Sequence, residues 1–277
     1  MEKALQDKER NLREIISAYG SAVVAFSGGV DSTLLAYVAH DVLGDKMVAV
    51  TAISPSFPQF QLDDAREFAS RFGITFEMIE TQEMDNPQYR ANSPERCYFC
   101  KTELYARCLE VAHARGFKHV FDGSNVDDYS DYRPGMKAAR EQAIRSPLAE
   151  AGFSKKNIRA LSRHYDLPTW DMPAFACLAS RLPYGEEIAP EKLQRVDKAE
   201  AALRALGFRQ FRVRYHGEVG RVELAPEELP LAFSVEMFKK ISNGLKEAGF
   251  TFASLDLDGY RTGSLNEILG ARKVLPE

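Results

Sequence analysis

The stretch that decides the fold is S27-G-G-V-D-S-T33. It follows S21-A-V-V-A-F26, a short valine-rich run, and precedes L34-L-A-Y-V-A-H-D-V-L43, whose apolar residues recur at helical spacing. A strand therefore feeds a glycine turn, and the turn feeds a helix read from 33 to 43. Gly28 and Gly29 let backbone N–H groups approach an anion without an obstructing side chain. Ser27, Ser32 and Thr33 add hydroxyl donors. The unpaired N–H groups and positive dipole end of the new helix face the same point. Asp31 sits inside the loop and would repel a bare phosphate, so the pattern calls for Mg²⁺ between them. With no lysine and adjacent glycines, the stretch is neither G-x-x-x-x-G-K-S/T nor G-x-G-x-x-G.

Outward from the turn, strand-like and helix-like segments alternate to about residue 170. Strands are predicted over 47–52, 74–79 and 119–122, and helices over 61–72, 94–114 and 154–164, the last with Ser154 as N-cap. This alternation implies an α/β domain, a parallel sheet flanked by helices, with ligands at the C-terminal strand ends. After about 185 the pattern changes. A helix over 189–206, a hairpin from F211-R-V-R-Y-H216 and V219-G-R-V-E-L224, a helix near 235–248 and a strand over 251–258 predict a smaller α+β domain. P183-Y-G185 marks the join, giving domains 1–184 and 185–277.

The net charge of -4 argues against nucleic acid as partner. No apolar run approaches the ~18 residues of a membrane span, and M1-E-K-A-L-Q-D-K-E-R10 lacks the apolar core of a signal peptide. The chain reads as cytoplasmic. Four cysteines in a chain of 277 residues are not a disulfide framework. C97-Y-F-C100 places two thiols on one helix face, roughly 5–6 Å apart at Cβ. Cys108, ~12 Å further along the axis, reads as a buried apolar residue. Cys177 lies in A174-F-A-C-L-A-S-R181, without clear periodicity. Three thiolates leave one corner of a metal site open: zinc could fill it with water or histidine, and a [4Fe-4S] cluster would leave one iron without a protein ligand.

The full S27-G-G-V-D-S-T33 string resembles the pyrophosphate loop of the N-type ATP pyrophosphatases, which include GMP synthetase, NAD synthetase and the tRNA thiolases. The resemblance implies that the held anion is the β,γ end of ATP, with adenine near Thr51-Ala52-Ile53. It also implies a nucleotide and substrate cleft lined by Asp122, Gly123, Ser124 and Asn125, with Asp127 and Asp128 beside them, and phosphate contact by Lys101. Taken with D131-Y-R-P-G135, C177-L-A-S-R-L-P-Y-G185, F211-R-V-R-Y-H216 and R221-V-E-L224, the chain is similar over nearly its whole length to the LarE sulfur transferases of nickel-pincer nucleotide synthesis. That resemblance implies adenylation of pyridinium-3,5-biscarboxylic acid mononucleotide, then sulfur insertion. One branch of the family sacrifices the sulfur of a single cysteine. The other holds a [4Fe-4S] cluster on three, and Cys97, Cys100 and Cys177 match the second, with Cys177 also at the reacting centre. Arg133, Ser180, Arg181, Arg212 and Arg214 become candidates for the substrate's phosphate or second carboxylate, Glu200 and Glu223 for an acidic cluster, and His216 for an ordinary turn residue. The implied partners are a small-molecule nucleotide, a sulfide donor and further copies of the chain in a homo-oligomer. Competing readings are a tRNA thiolase, for which no basic appendage is present, and a non-catalytic ATP-binding protein with structural zinc.

Overall fold

The computed structural model describes residues 2–130, 134–261 and 263–266. The chain divides into two compact units, the first formed by 1–89 and 94–175, the second by 90–93 and 176–277.

The first unit opens with α1 (Lys3–Tyr19), β1 (Ala22–Ala25), α2 (Val30–Leu43), β2 (Met47–Ile53), α3 (Gln59–Arg71) and β3 (Phe76–Glu80). After the short α4 (Pro87–Arg90) come α5 (Arg96–Arg115), β4 (His119–Phe121), α6 (Pro134–Glu141), α7 (Pro147–Glu150) and α8 (Lys155–His164). The four strands run parallel in the order β3-β2-β1-β4, as helical crossovers require. Val23 aligns with Val48 on one side and Val120 on the other. Successive residues of β1 serve opposite faces. Ala22 and Val24 join a core with Leu12 and Ile16 of α1, Leu34 and Leu35 of α2, Ala65 and Phe68 of α3, Leu148 and Ile158. Val23 joins a second core with Tyr105, Cys108 and Ala112 of α5 and Ala138 of α6. The sheet is thus covered on both faces, which is why its central strands read as unbroken apolar runs. β1 lies between β2, the next strand in sequence, and β4, the last. The carboxyl ends of β1 and β4 therefore flank the point where the strand order reverses, the usual ligand crevice of such sheets.

The second unit contains α9 (Pro190–Ala205), β5 (Phe211–His216), β6 (Val219–Leu224), α10 (Leu229–Ala232), α11 (Val235–Glu247) and β7 (Phe252–Leu255). β5 and β6 form the antiparallel hairpin, turned at Gly217 with φ +64°, and β7 pairs parallel with β6. Leu193, Val196, Ala199 and Leu203 of α9 are fully buried.

Several boundaries differ from expectation: β3 starts at Phe76 rather than 74, β7 ends at Leu255 rather than 258, and two others bear on the candidate site. The second unit starts at Ala176 rather than near 185. Pro183–Gly185 falls inside it because Asn92 donates to the Leu182 and Pro183 carbonyls and accepts the Gly185 N–H. The loop bearing Cys177 belongs with the smaller unit. The helix after the glycine turn starts at Val30, three residues before the expected 33, so Asp31, Ser32 and Thr33 are helical. Among the described residues no helix is long and apolar enough to cross a membrane.

Candidate active site

The glycine turn is held from both sides. Gly28 has φ +72°, and a Cβ there would stand 3.3 Å from the Gln61 carbonyl and 3.4 Å from Ala65 Cβ of α3. Gly29 is the N-cap of α2, with no side-chain cap, and its carbonyl accepts the Thr33 N–H at 2.9 Å. The N–H groups ahead of Thr33 belong to the helix end that has no intrahelical acceptors. Ser32 Oγ ties the turn together, donating to Gly29 O at 3.1 Å, accepting the Ser27 N–H at 3.2 Å and lying 3.1 Å from Ser27 Oγ. Thr33 is fully buried, and its Oγ1 meets no hydrogen-bond partner among the described residues.

Gly123, after β4, presses on the same helix end. A Cβ there would lie 3.0 Å from the Ser32 nitrogen and 3.2 Å from its Cα, standing on an amide that an anion needs. Beside it Asp122 is a bracket rather than an open ligand. Its buried carboxylate accepts from Tyr105 Oη at 2.8 Å, Ser146 Oγ at 2.6 Å, and both the hydroxyl (2.9 Å) and N–H (3.1 Å) of Ser124. Burial, reinforced by Asp122, pushes the Tyr105 hydroxyl well above its usual range, so it stays a donor. Asn125 Oδ1 accepts the Asp127 N–H, and Asp128 Oδ2 accepts the Asn125 N–H, both at 3.0 Å. These bonds make an Asx turn.

The remaining first-unit candidates scatter. Thr51 is fully buried and its hydroxyl donates to Phe26 O at 2.6 Å, bracing β1 against β2. Lys101, in α5, packs its ammonium 5.2 Å from the centre of the Tyr105 ring. Arg133 lies outside the described residues. A residue that motif reading misses is Lys155, whose Nζ sits 2.5 Å from Asp31 Oδ2. Burial raises the Asp31 carboxyl above its ordinary value, and Lys155 opposes that rise without cancelling it. Two lysines opening a helix are ordinary in sequence; only the tertiary contact distinguishes this one.

All four cysteines are thiols. Cys97 and Cys100 occupy the first turns of α5, the former exposed and the latter half-buried. Cys108 is fully buried and desolvation pushes its thiol up to about 12, as its apolar reading requires. Among the described residues, no three His, Cys, Asp or Glu side chains gather into a metal site.

In the second unit Cys177 is half-buried and caps the 3₁₀ turn Leu178–Arg181. Its carbonyl accepts from Ser180 N–H at 3.0 Å, Ser180 Oγ at 2.8 Å and Arg181 Nη1 at 3.0 Å. Arg181 is fully buried. Its Nε and Nη2 form a fork on Glu200 at 2.8 Å each, and Nη1 also reaches Ala176 O at 2.6 Å. Glu200 Oε1 accepts the Val213 N–H of β5 as well, at 3.0 Å. Arg212 and Arg214 are both buried. Arg214 donates to Ser180 O at 2.8 Å, Glu223 at 2.8 Å and Ser264 at 2.9 Å. Arg212 stacks 4.9 Å from the Tyr260 ring, and burial, aided by the positive Arg181, lowers its guanidinium to about 10. His216 ends β5 and accepts from Arg221 Nε at 3.3 Å, an ordinary strand-end contact.

Known proteins match this arrangement. Residues 4–125 match the NAD synthase family. The pyridinium-3,5-bisthiocarboxylic acid mononucleotide synthase of Lactiplantibacillus plantarum is 36% identical over 266 residues, 96% of each chain. An uncharacterized protein of Synechocystis is 48% identical over 96% of this chain and 99% of its own. At greater distance, a component of the glutamine-hydrolyzing GMP synthase of Archaeoglobus fulgidus is 24% identical over 72% of this chain and 69% of its own. With these likenesses spanning both units, the chain belongs to the pyridinium-3,5-bisthiocarboxylic acid mononucleotide synthase (LarE) family.

Proposed function

We propose that the protein is an ATP-dependent sulfur transferase acting on pyridinium-3,5-biscarboxylic acid mononucleotide. The observation that carries this reading is the cradle at the N-terminus of α2, where Gly28 and Gly123 would each lose the fit to a single added carbon. Backbone amides there suit the β,γ end of ATP. A substrate carboxylate oxygen attacks the α-phosphorus, the Pα–O–Pβ bond breaks and pyrophosphate leaves. The carboxylate has then lost its charge and gained AMP as leaving group, and a sulfur nucleophile displaces AMP to give the thiocarboxylate. Asp31, inside the turn, would hold a Mg²⁺ ion indirectly. Arg212, buried and stacked 4.9 Å from the Tyr260 ring, is a candidate for the substrate's phosphate or second carboxylate.

Thiolates are the donors an iron–sulfur group needs: Cys97 and Cys100, three residues apart on α5 and undisulfided, would supply two, and Cys177 would be the third. A [4Fe-4S] cluster held there would supply a bound sulfide as the sulfur nucleophile. The chain's own part is to present the three thiolates and to hold the Cys177 loop through Arg181. The test is pyrophosphate release dependent on the dicarboxylate mononucleotide, with iron and acid-labile sulfide measured per chain in anaerobically prepared wild type and Cys97→Ala. Release without that substrate dependence overturns the function. Iron-free wild type that still makes product transfers the donor role to Cys177 itself.

A further inference from the structure

Beyond their carboxyl ends, β2 and β3 stay together. The Thr81 N–H donates to Ile53 O at 3.2 Å, carrying the pairing one residue past β3. The chain after β2 turns at Ser54, whose carbonyl accepts the Phe57 N–H at 3.0 Å and whose hydroxyl accepts the Ser56 N–H at 3.2 Å. The chain after β3 coils into the 3₁₀ turn Glu83–Asp85. Side chains join the two segments: Ser56 Oγ lies 2.9 Å from Ser54 Oγ and 3.2 Å from Glu83 Oε1, to which it donates. Ser56 and Glu83 are only 4% and 3% exposed. The other oxygen of Glu83, Oε2, is buried and meets no hydrogen-bond partner among the described residues. A buried carboxylate oxygen left without a donor is costly, so this one suits a donor that a ligand brings.

Its place in the fold points to that ligand. Both segments leave the carboxyl edge of the sheet, the edge that carries the glycine turn after β1. β3 stands two strands from β1, about 10 Å away at ~4.8 Å per strand, which is the reach of a nucleotide from its phosphates to its base. A carboxylate accepts N–H groups and repels a carbonyl oxygen. Adenine presents an exocyclic amine, whereas hypoxanthine presents a carbonyl oxygen on the same ring carbon. We propose that Glu83 receives the 6-amino group of the adenine of ATP and selects the base, with Ser56 holding its other oxygen. The inference rests on the reading of the turn as the triphosphate site. Its consequence is discrimination at the base that the phosphates do not share.

Titration calorimetry of the full chain with MgATP, magnesium inosine triphosphate and magnesium pyrophosphate tests this. Wild type binds ATP at least about tenfold more tightly than inosine triphosphate, the scale of one charge-assisted hydrogen bond. Glu83→Gln still accepts from Ser56 but can turn an N–H₂ toward the base, so ATP weakens by about tenfold, inosine triphosphate does not weaken, and the preference disappears or reverses. Pyrophosphate stays within about twofold in both proteins, and melting curves report that the variant folds. Wild type that binds the two nucleotides equally overturns the proposal without recourse to any variant. Glu83→Gln that weakens all three ligands alike makes Glu83 a brace of the strand ends and also overturns it, as does a variant with the ATP preference intact. Wild type that binds neither pyrophosphate nor nucleotide removes the triphosphate site itself, and the role of Glu83 falls with it. Tight pyrophosphate binding without base preference removes the role of Glu83 alone.

Discussion

Arg181→Gln is the most informative perturbation of the second unit. In the native chain, Glu200 is fully buried and its oxygens take Nε and Nη2 of Arg181 and the Val213 N–H. The substitution removes both charged donors and leaves a carboxylate inside the unit with an amide for company. Removing one partner of a buried ion pair costs about 3–5 kcal/mol, which lowers the melting temperature by roughly 10–20 °C at ~4 °C per kcal/mol. The carbonyls of Ala176 and Cys177 lose Nη1 at the same time, so the thiol-bearing loop is released. Two further variants separate these effects. Arg181→Leu with Glu200→Leu removes both charges; a buried pair replaced by apolar side chains is often near neutral, so stability recovers to within about 2 kcal/mol. The loop stays untied, and sulfur transfer remains lost while pyrophosphate release survives better. Arg181→Lys keeps the charge without the fork and falls between. Calorimetry, pyrophosphate release and thiocarboxylate yield read the three outcomes. The reasoning is refuted if Arg181→Gln melts like wild type, or if the double variant is as unstable as the single one.

Two other outcomes follow from the first unit. Gly123→Ala puts a methyl 3.0 Å from the Ser32 nitrogen and 3.4 Å from the Asp31 carbonyl carbon, backbone atoms that yield only if α2 shifts. Overpacking costs about 1–3 kcal/mol and the displaced turn loses about a hundredfold in pyrophosphate release, whereas Gly29→Ala, at φ -76° with its nearest neighbour at 3.5 Å, stays within about 1 kcal/mol of wild-type stability. Asp31→Asn tests the sign of a buried charge: burial raises the Asp31 pKa above 3.8, so its contribution to stability is present below that value and is lost as pH rises through the raised one. The variant therefore melts at or above wild type at pH 7, with the gap closing below about pH 4, while pyrophosphate release is lost; a variant less stable than wild type at pH 7 would contradict this.

How much of this is legible in the sequence depends on the range of the interaction concerned. The S27-G-G-V-D-S-T33 turn is local: a strand, two glycines and a helix start are written contiguously, and the structure keeps them together. The capping of α8 by Ser154 is equally local, and so is the Arg212–Arg214 alternation, which does put both guanidiniums on one side of β5. What alternation does not state is burial. The arginines face inward because Ser180, Glu200 and Glu223, from 9 to 34 positions away, arrive to receive or surround them, and no period in the sequence records that. α1 escapes pattern reading because its first residues are charged, although Leu5, Leu12 and Ile16 mark a buried stripe. Gly123 and Lys155 are the sharper cases. A glycine in D122-G-S-N125 has an adequate local explanation as a turn residue, and a lysine at a helix start needs none. Each acquires its contact only where β4 is placed beside β1, bringing one to the Ser32 amide and the other to the Asp31 carboxylate. Strand order, which local patterning does not specify, is therefore the physical quantity that sets a second glycine and a counter-ion against an anion-friendly turn.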